Sequence, residues 1–86
     1  MHMTEFTKKV LAIVRKIKKG KTMTYKQVAD MAGSPGSARA VGSIMKKNYD
    51  LTVSCHRVIK SDGTVGDYNR GGSEMKKKLL EEEKIR

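Results

Sequence analysis

Residues 24–47 read TYKQVADMAGSPGSARAVGSIMKK, two short runs of helical apolar spacing separated by a break rich in glycine and proline. Thr24 followed three residues later by Gln27 is a capping-box pattern, in which the threonine accepts from the helix backbone and the glutamine reaches back to the cap. It opens a helix through Ala32 that buries Val28, Ala29 and Met31. Gly33-Ser34-Pro35-Gly36 stops it. Helical period resumes from Ser37 to Lys47 through Ala38, Val41, Ile44 and Met45. Two short helices around a tight turn are the outline of a helix-turn-helix. The second helix offers Ser37, Ala40 and Ser43 on an outer face, with Arg39 projecting beyond them. Small residues there either pack against a neighbour or let a backbone or phosphate come close, and the pattern alone leaves both open.

On the N-terminal side, Phe6, Val10, Ile13, Val14 and Ile17 fall at helical spacing, with Thr4 as N-cap, Glu5 in the first turn and Gly20 after the end. An amphipathic helix from Thr4 to Lys19 follows, its other face crowded with lysines. On the C-terminal side the period changes. Leu51, Val53 and Val58-Ile59 are short apolar pieces, and Asp62-Gly63 before Thr64-Val65 signals a turn, so an extended segment or short hairpin is expected. Gly66 to Gly72 is loop, and a last helix begins near Ser73. Its lysines, Lys76 to Lys78, precede its glutamates, Glu81 to Glu83, against the order that the helix dipole favours. Glu83 lies one turn beyond the apolar pair Leu79-Leu80 and should face inward, where a carboxylate needs a partner; the only histidines are His2 and His56.

Cys55-His56-Arg57-Val58 sits in the extended piece and holds the only cysteine. A thiol with cationic neighbours is more often the nucleophilic thiolate, whereas a free cysteine elsewhere is commonly a small core residue. One cysteine excludes an internal disulfide, and no zinc-ligand spacing is present, so neither metal nor cofactor is expected. Eighty-six residues make one domain with a modest core, 37% apolar. Nineteen Lys and Arg against nine acids give a net charge of +10, which favours a polyanion, nucleic acid before anionic membrane. No apolar run spans a bilayer and no secretion signal opens the chain, so an intracellular protein with no membrane partner is expected. The fold class is mainly α: a small domain with a winged-helix-like helix-turn-helix and a short extended segment at the cysteine.

In order, Gly20-Lys21-Thr22-Met23-Thr24-Tyr25, Ala38-Arg39-Ala40-Val41-Gly42, Asn48, Cys55-His56-Arg57-Val58, Gly63-Thr64-Val65-Gly66, Tyr68, Gly71-Gly72 and Leu79-Leu80 with Glu83 form a specific series. Through it the chain resembles the C-terminal, DNA-binding and active-site domain of the O6-alkylguanine-DNA alkyltransferases, from about Phe6 to Glu83. The resemblance implies that Cys55 takes the alkyl group from O6 of a guanine in double-stranded DNA and keeps it as a thioether, each molecule acting once. It implies a relay from Glu83 through His56 and a water to Cys55, and an Asn48 that pins the loop before the reactive segment. It implies that the base is flipped, with Arg39 filling the stack and Tyr25 crowding the backbone phosphate, while Ser37, Ala40 and Ser43 let the helix into the minor groove. Met45, Val58, Tyr68 and Asn69 would wall the base pocket, with Arg57 part of the motif. The chain would act as a monomer without the family's usual N-terminal domain.

This sequence departs from the family pattern at Ser54, where proline is usual, in a connection from Asn48 to Cys55 that is one residue shorter, and in an extra residue within Asp67 to Gly72. Two other functions stay open at this point. An alkyltransferase-like protein binds the lesion without transfer, although such proteins typically replace the cysteine; a general basic DNA-binding domain needs only the charge.

Overall fold

The computed structural model describes residues 4–48, 50, 52–66, 68 and 71–84. Helix α1, Glu5–Arg15, begins where the Thr4 side chain accepts from the backbone N–H of Thr7, 3.1 Å away. It buries Val10, Leu11 and Val14. It ends four residues before the expected Lys19, because Lys16 and Ile17 donate three residues back, to Ile13 and Val14, and tighten the last turn. Ile17 stays in the core although it is no longer helical.

A two-residue strand β1, Met23–Thr24, leads directly into α2, Tyr25–Met31. The capping box forms in full: Gln27 N–H donates to Thr24 Oγ1 at 3.0 Å, and Thr24 N–H donates to Gln27 Oε1 at 2.8 Å. Val28, Ala29 and Ala32 make the inward stripe. Met31, expected to be buried, is instead 66% exposed. At about 100° per residue it stands a full step from Ala32 and farther from Ala29, off the edge of that stripe. Gly33 turns the chain with φ +83°, a left-handed angle that a side chain resists. Helix α3, Ala38–Lys47, then packs closely against α2 and completes the helix-turn-helix, with Val41 and Met45 buried.

Cys55–Arg57 forms a single 3₁₀ turn, followed by strand β2, Val58–Ile59. The partner of β2 is β1, in parallel, Met23 opposite Val58 and Thr24 opposite Ile59. The expected hairpin reduces to a tight turn: Lys60 N–H donates to Thr64 O and Gly63 N–H to Lys60 O, while Asp62 accepts from the backbone and hydroxyl of Thr64. Those bonds are spent inside the turn, so Thr64-Val65 continues as loop. Leu51 lies outside the described residues. Helix α4, Gly72–Lys84, closes the fold against the 3₁₀ turn. The domain is therefore small and mainly helical, built on a helix-turn-helix, with its core among α1, α2, α3 and the Cys55 segment.

Candidate active site around Cys55

Cys55 is 3% exposed and lies where the chain returns to the core after α3. Its amide donates to Val53 O and the Arg57 amide to Ser54 O, both at 2.9 Å, which fixes the turn on each side of the thiol. The polar group on its sulfur is Asn48, whose Nδ2 donates to Sγ at 3.0 Å. Asn48 is the C-cap of α3, so the residue that releases the chain from the helix also holds the sulfur. Its other amide atom accepts from Asp50 N–H at 3.4 Å, fixing which end of the amide faces the sulfur. The loop is anchored further by Asp50, whose carboxylate accepts from Thr52 N–H and Oγ1 and from Arg15 Nη2. The Thr52 hydroxyl, aided by its amide and by Arg15, holds that carboxyl below the usual range.

The cationic neighbours of the thiol both engage a carboxylate of α4. His56 Nε2 meets Glu83 Oε2 at 3.0 Å, while Arg57 donates from Nε to Oε1 at 3.0 Å and from Nη2 to Oε2 at 2.5 Å. Arg57 Nη1 also donates to Ile17 O at 2.8 Å and to Ser54 Oγ at 3.1 Å. Glu83 does face inward with His56 as a partner, and Arg57 joins it. A 3₁₀ turn advances about 120° per residue, so three successive side chains point in three directions, two of which reach α4 while the cysteine does not. Reading the segment as extended chain gave no means of bringing Arg57 to the same carboxylate. The Arg57 guanidinium first, with His56 behind it, pulls the Glu83 carboxyl down from 4.5 to about 2, against the opposing effect of burial. Glu83 is therefore ionised and accepts, which makes His56 Nε2 a donor and leaves Nδ1 as the acceptor nitrogen.

A cavity of about 270 Å³ opens beside the sulfur, lined by Tyr25, Gly42, Ser43, Met45, Lys46, Cys55 and Lys60. Tyr25 enters it from the first turn of α2, and Ser43 and Met45 from α3. Behind Tyr25 stands a residue that charge pattern alone assigns to solvent: Lys76 of α4 is 1% exposed, its Nζ 3.2 Å from Tyr25 Oη and 5.4 Å from the ring centre. The sequence signal was the reversed charge order of the last helix, where a lysine near the start has a tyrosine to meet. The remaining candidates are spread around this centre. Arg39 and Ala40 are exposed on the first turn of α3. Ser37 is half-buried, and its hydroxyl lies 2.6 Å from that of Ser34 instead of facing outward freely. Val58 does not wall the cavity: alternation along β2 turns its side chain wholly into the core. Tyr68 does not line it either; its ring stands edge-on to His56 at 6.4 Å. Asn69 lies outside the described residues. No trio of His, Cys, Asp or Glu that could hold a metal ion exists among the described residues, and no described helix is long and apolar enough to cross a membrane.

Residues 5–85 match a family model described as 6-O-methylguanine DNA methyltransferase, DNA binding domain. Methylated-DNA–protein-cysteine methyltransferase of Mus musculus is 44% identical over 82 residues, 93% of this chain and 39% of that protein. The enzyme of the same name from Methanothermobacter thermautotrophicus is 46% identical over 83 residues, 95% of this chain and 46% of that protein. The chain thus spans less than half the length of these two relatives. Among solved structures, Mycobacterium tuberculosis OGT in complex with DNA superposes with a TM-score of 0.89 at 40% identity, covering 98% of this chain and 51% of that one. Schizosaccharomyces pombe Atl1, in complex with damaged DNA containing O6-carboxymethylguanine, superposes with a TM-score of 0.82 at 41% identity, covering 96% and 79%.

Proposed function

This chain belongs to the family of 6-O-methylguanine DNA methyltransferase DNA-binding domains, and from that premise we propose that it repairs O6-alkylguanine in double-stranded DNA by moving the alkyl group to Cys55. The observation that carries the reading is the thiol in the wall of a cavity, with an amide donor on its sulfur and an ionised carboxylate behind the neighbouring histidine.

The chemistry follows from those positions. The thiol proton passes through water to His56 Nδ1, the acceptor nitrogen left when Nε2–H is given to Glu83. Asn48 Nδ2–H steadies the sulfur anion that results. The sulfur attacks the alkyl carbon, a sulfur–carbon bond forms, the carbon–O6 bond breaks, and its electron pair stays on the guanine, which takes up a proton. The product is a thioether, so each molecule reacts once. Reaching O6 requires the nucleotide to leave the stack. Arg39, at the exposed start of α3, fills the gap, and Tyr25 crowds the phosphate from the cavity rim. Ala40 and Ser43 admit α3 to the minor groove, and Met45 contacts the flipped base. The +10 charge supplies sequence-independent attraction to the phosphates.

Incubation with a duplex carrying O6-methylguanine, followed by peptide mass analysis, tests this: a methyl increment on the Cys55 peptide is expected, at one per protein. A second reading takes its support from the likeness to Atl1, TM-score 0.82 at 41% identity, in a structure holding damaged DNA. Under it the lesion is held tightly and Cys55 stays unmodified.

A further inference from the structure

We propose that Lys60 is a specificity-determining residue that fits the Cys55 cavity to O6 adducts bearing a negative charge; this deepens the alkyl-transfer reading and rests on it. Two cations, Lys46 and Lys60, line the cavity that holds Cys55, and no carboxylate lines it among the described residues. The backbone of Lys60 is fixed from both sides, its N–H donating to Thr64 O at 2.9 Å and its carbonyl accepting from Gly63 N–H at 3.0 Å. Its stem then runs past Gly66: a Cβ on that glycine would stand 3.4 Å from Lys60 Cγ, 3.5 Å from Lys60 Cε and 3.5 Å from Tyr25 Oη. Gly66, at φ +73°, thus lets the lysine stem and the tyrosine hydroxyl converge on one patch of cavity wall. Its ammonium forms no hydrogen bond or ion pair within the described residues. Asp62, two residues on, spends its carboxylate on the amide and hydroxyl of Thr64.

A carboxymethyl group on O6 is the simplest anionic adduct. The displacement is the same as for methyl: sulfur bonds to the CH₂ carbon, that carbon leaves O6, and the guanine keeps the electron pair and gains a proton, giving S-carboxymethylcysteine. The carboxylate brings a second negative charge towards a sulfur anion, and the ammonium of a lysine that lines the cavity offsets the repulsion.

Single-turnover rates on duplexes containing O6-methylguanine or O6-carboxymethylguanine test the assignment in wild type, Lys60→Met and Lys60→Arg. Lys60→Met should slow carboxymethyl transfer roughly tenfold and methyl transfer less than about twofold, with Lys60→Arg close to wild type on both. Equal slowing on both duplexes would make Lys60 a phosphate contact and overturn the proposal, as would no slowing on either. Methyl transfer by wild type separates that outcome from failure of the underlying reading, since absence of any transfer overturns both.

Discussion

Asn48 and Glu83 stand at the two ends of the proposed proton path, and their contributions separate. Asn48 touches the sulfur itself, at 3.0 Å, so its donor matters most when the sulfur is anionic. A hydrogen bond to a charged acceptor is worth about 1.5–3 kcal/mol, so Asn48→Ala should slow methyl transfer roughly ten- to a hundredfold. Circular dichroism should show the fold retained, because Asp50 keeps its bonds to Thr52 and Arg15. Glu83 bears on stability as well as on the proposed relay. Its carboxyl lies near 2 in the fold against 4.5 ordinarily, so the stabilisation is fully present above about pH 4.5 and lost as the pH falls through about 2. Two and a half units correspond to roughly 3 kcal/mol. Urea melts at pH 7, 4 and 2.5 should show that acid slope in wild type and its loss in Glu83→Gln, which should also be less stable at pH 7 by about 2–4 kcal/mol because the Arg57 guanidinium is left half-buried without its carboxylate. A slope unchanged in the variant would assign acid sensitivity to other groups.

At the scale of elements, the helix-turn-helix was open to reading because its signals are local: a capping box, an apolar period and a glycine break each lie within a few residues. The inward turn of Glu83 was legible for the same reason, from its place one turn past Leu79-Leu80. What was not legible depends on partners distant in sequence. Arg57 finds Ile17 O and Glu83 across 40 and 26 residues, and the 3₁₀ turn that aims it has no strong residue signature. Lys76 finds Tyr25 across 51 residues, which no helical period encodes. That contact, together with the Glu83 bridge, pins α4 at both ends to the rest of the domain. Lys76→Ala removes a wholly buried stem and one hydrogen bond to the Tyr25 hydroxyl, at about 2–4 kcal/mol. Hydrogen exchange should then quicken first in the N-terminal turns of α4, while the amides of α1 keep their protection. Uniform loss of protection would mean that the contact supports the whole core and not one helix end.

Across the whole molecule, the proposed function assigns attraction and recognition to different residues of the same helix. A +10 charge favours association with any duplex, and under the proposed function each phosphate contact would add about one unit to the dependence of affinity on salt. Lys47, exposed in the last turn of α3, belongs to that general field, whereas Arg39, exposed in its first turn, is the proposed occupant of the gap left by a flipped base. Lys47→Ala should therefore lower affinity alike for intact and damaged duplexes and reduce the slope of log affinity against log salt by about one. Arg39→Ala should change binding to intact DNA no more than Lys47→Ala does, yet slow methyl transfer at saturating DNA by about tenfold or more, since the unstacked state loses the side chain that stabilises it. Fluorescence anisotropy at several salt concentrations, paired with single-turnover transfer, reads the two effects separately. If the two variants shifted both readouts in parallel, α3 would be an electrostatic contact along its whole length, and base extrusion would have to be driven from the Tyr25 side of the cavity.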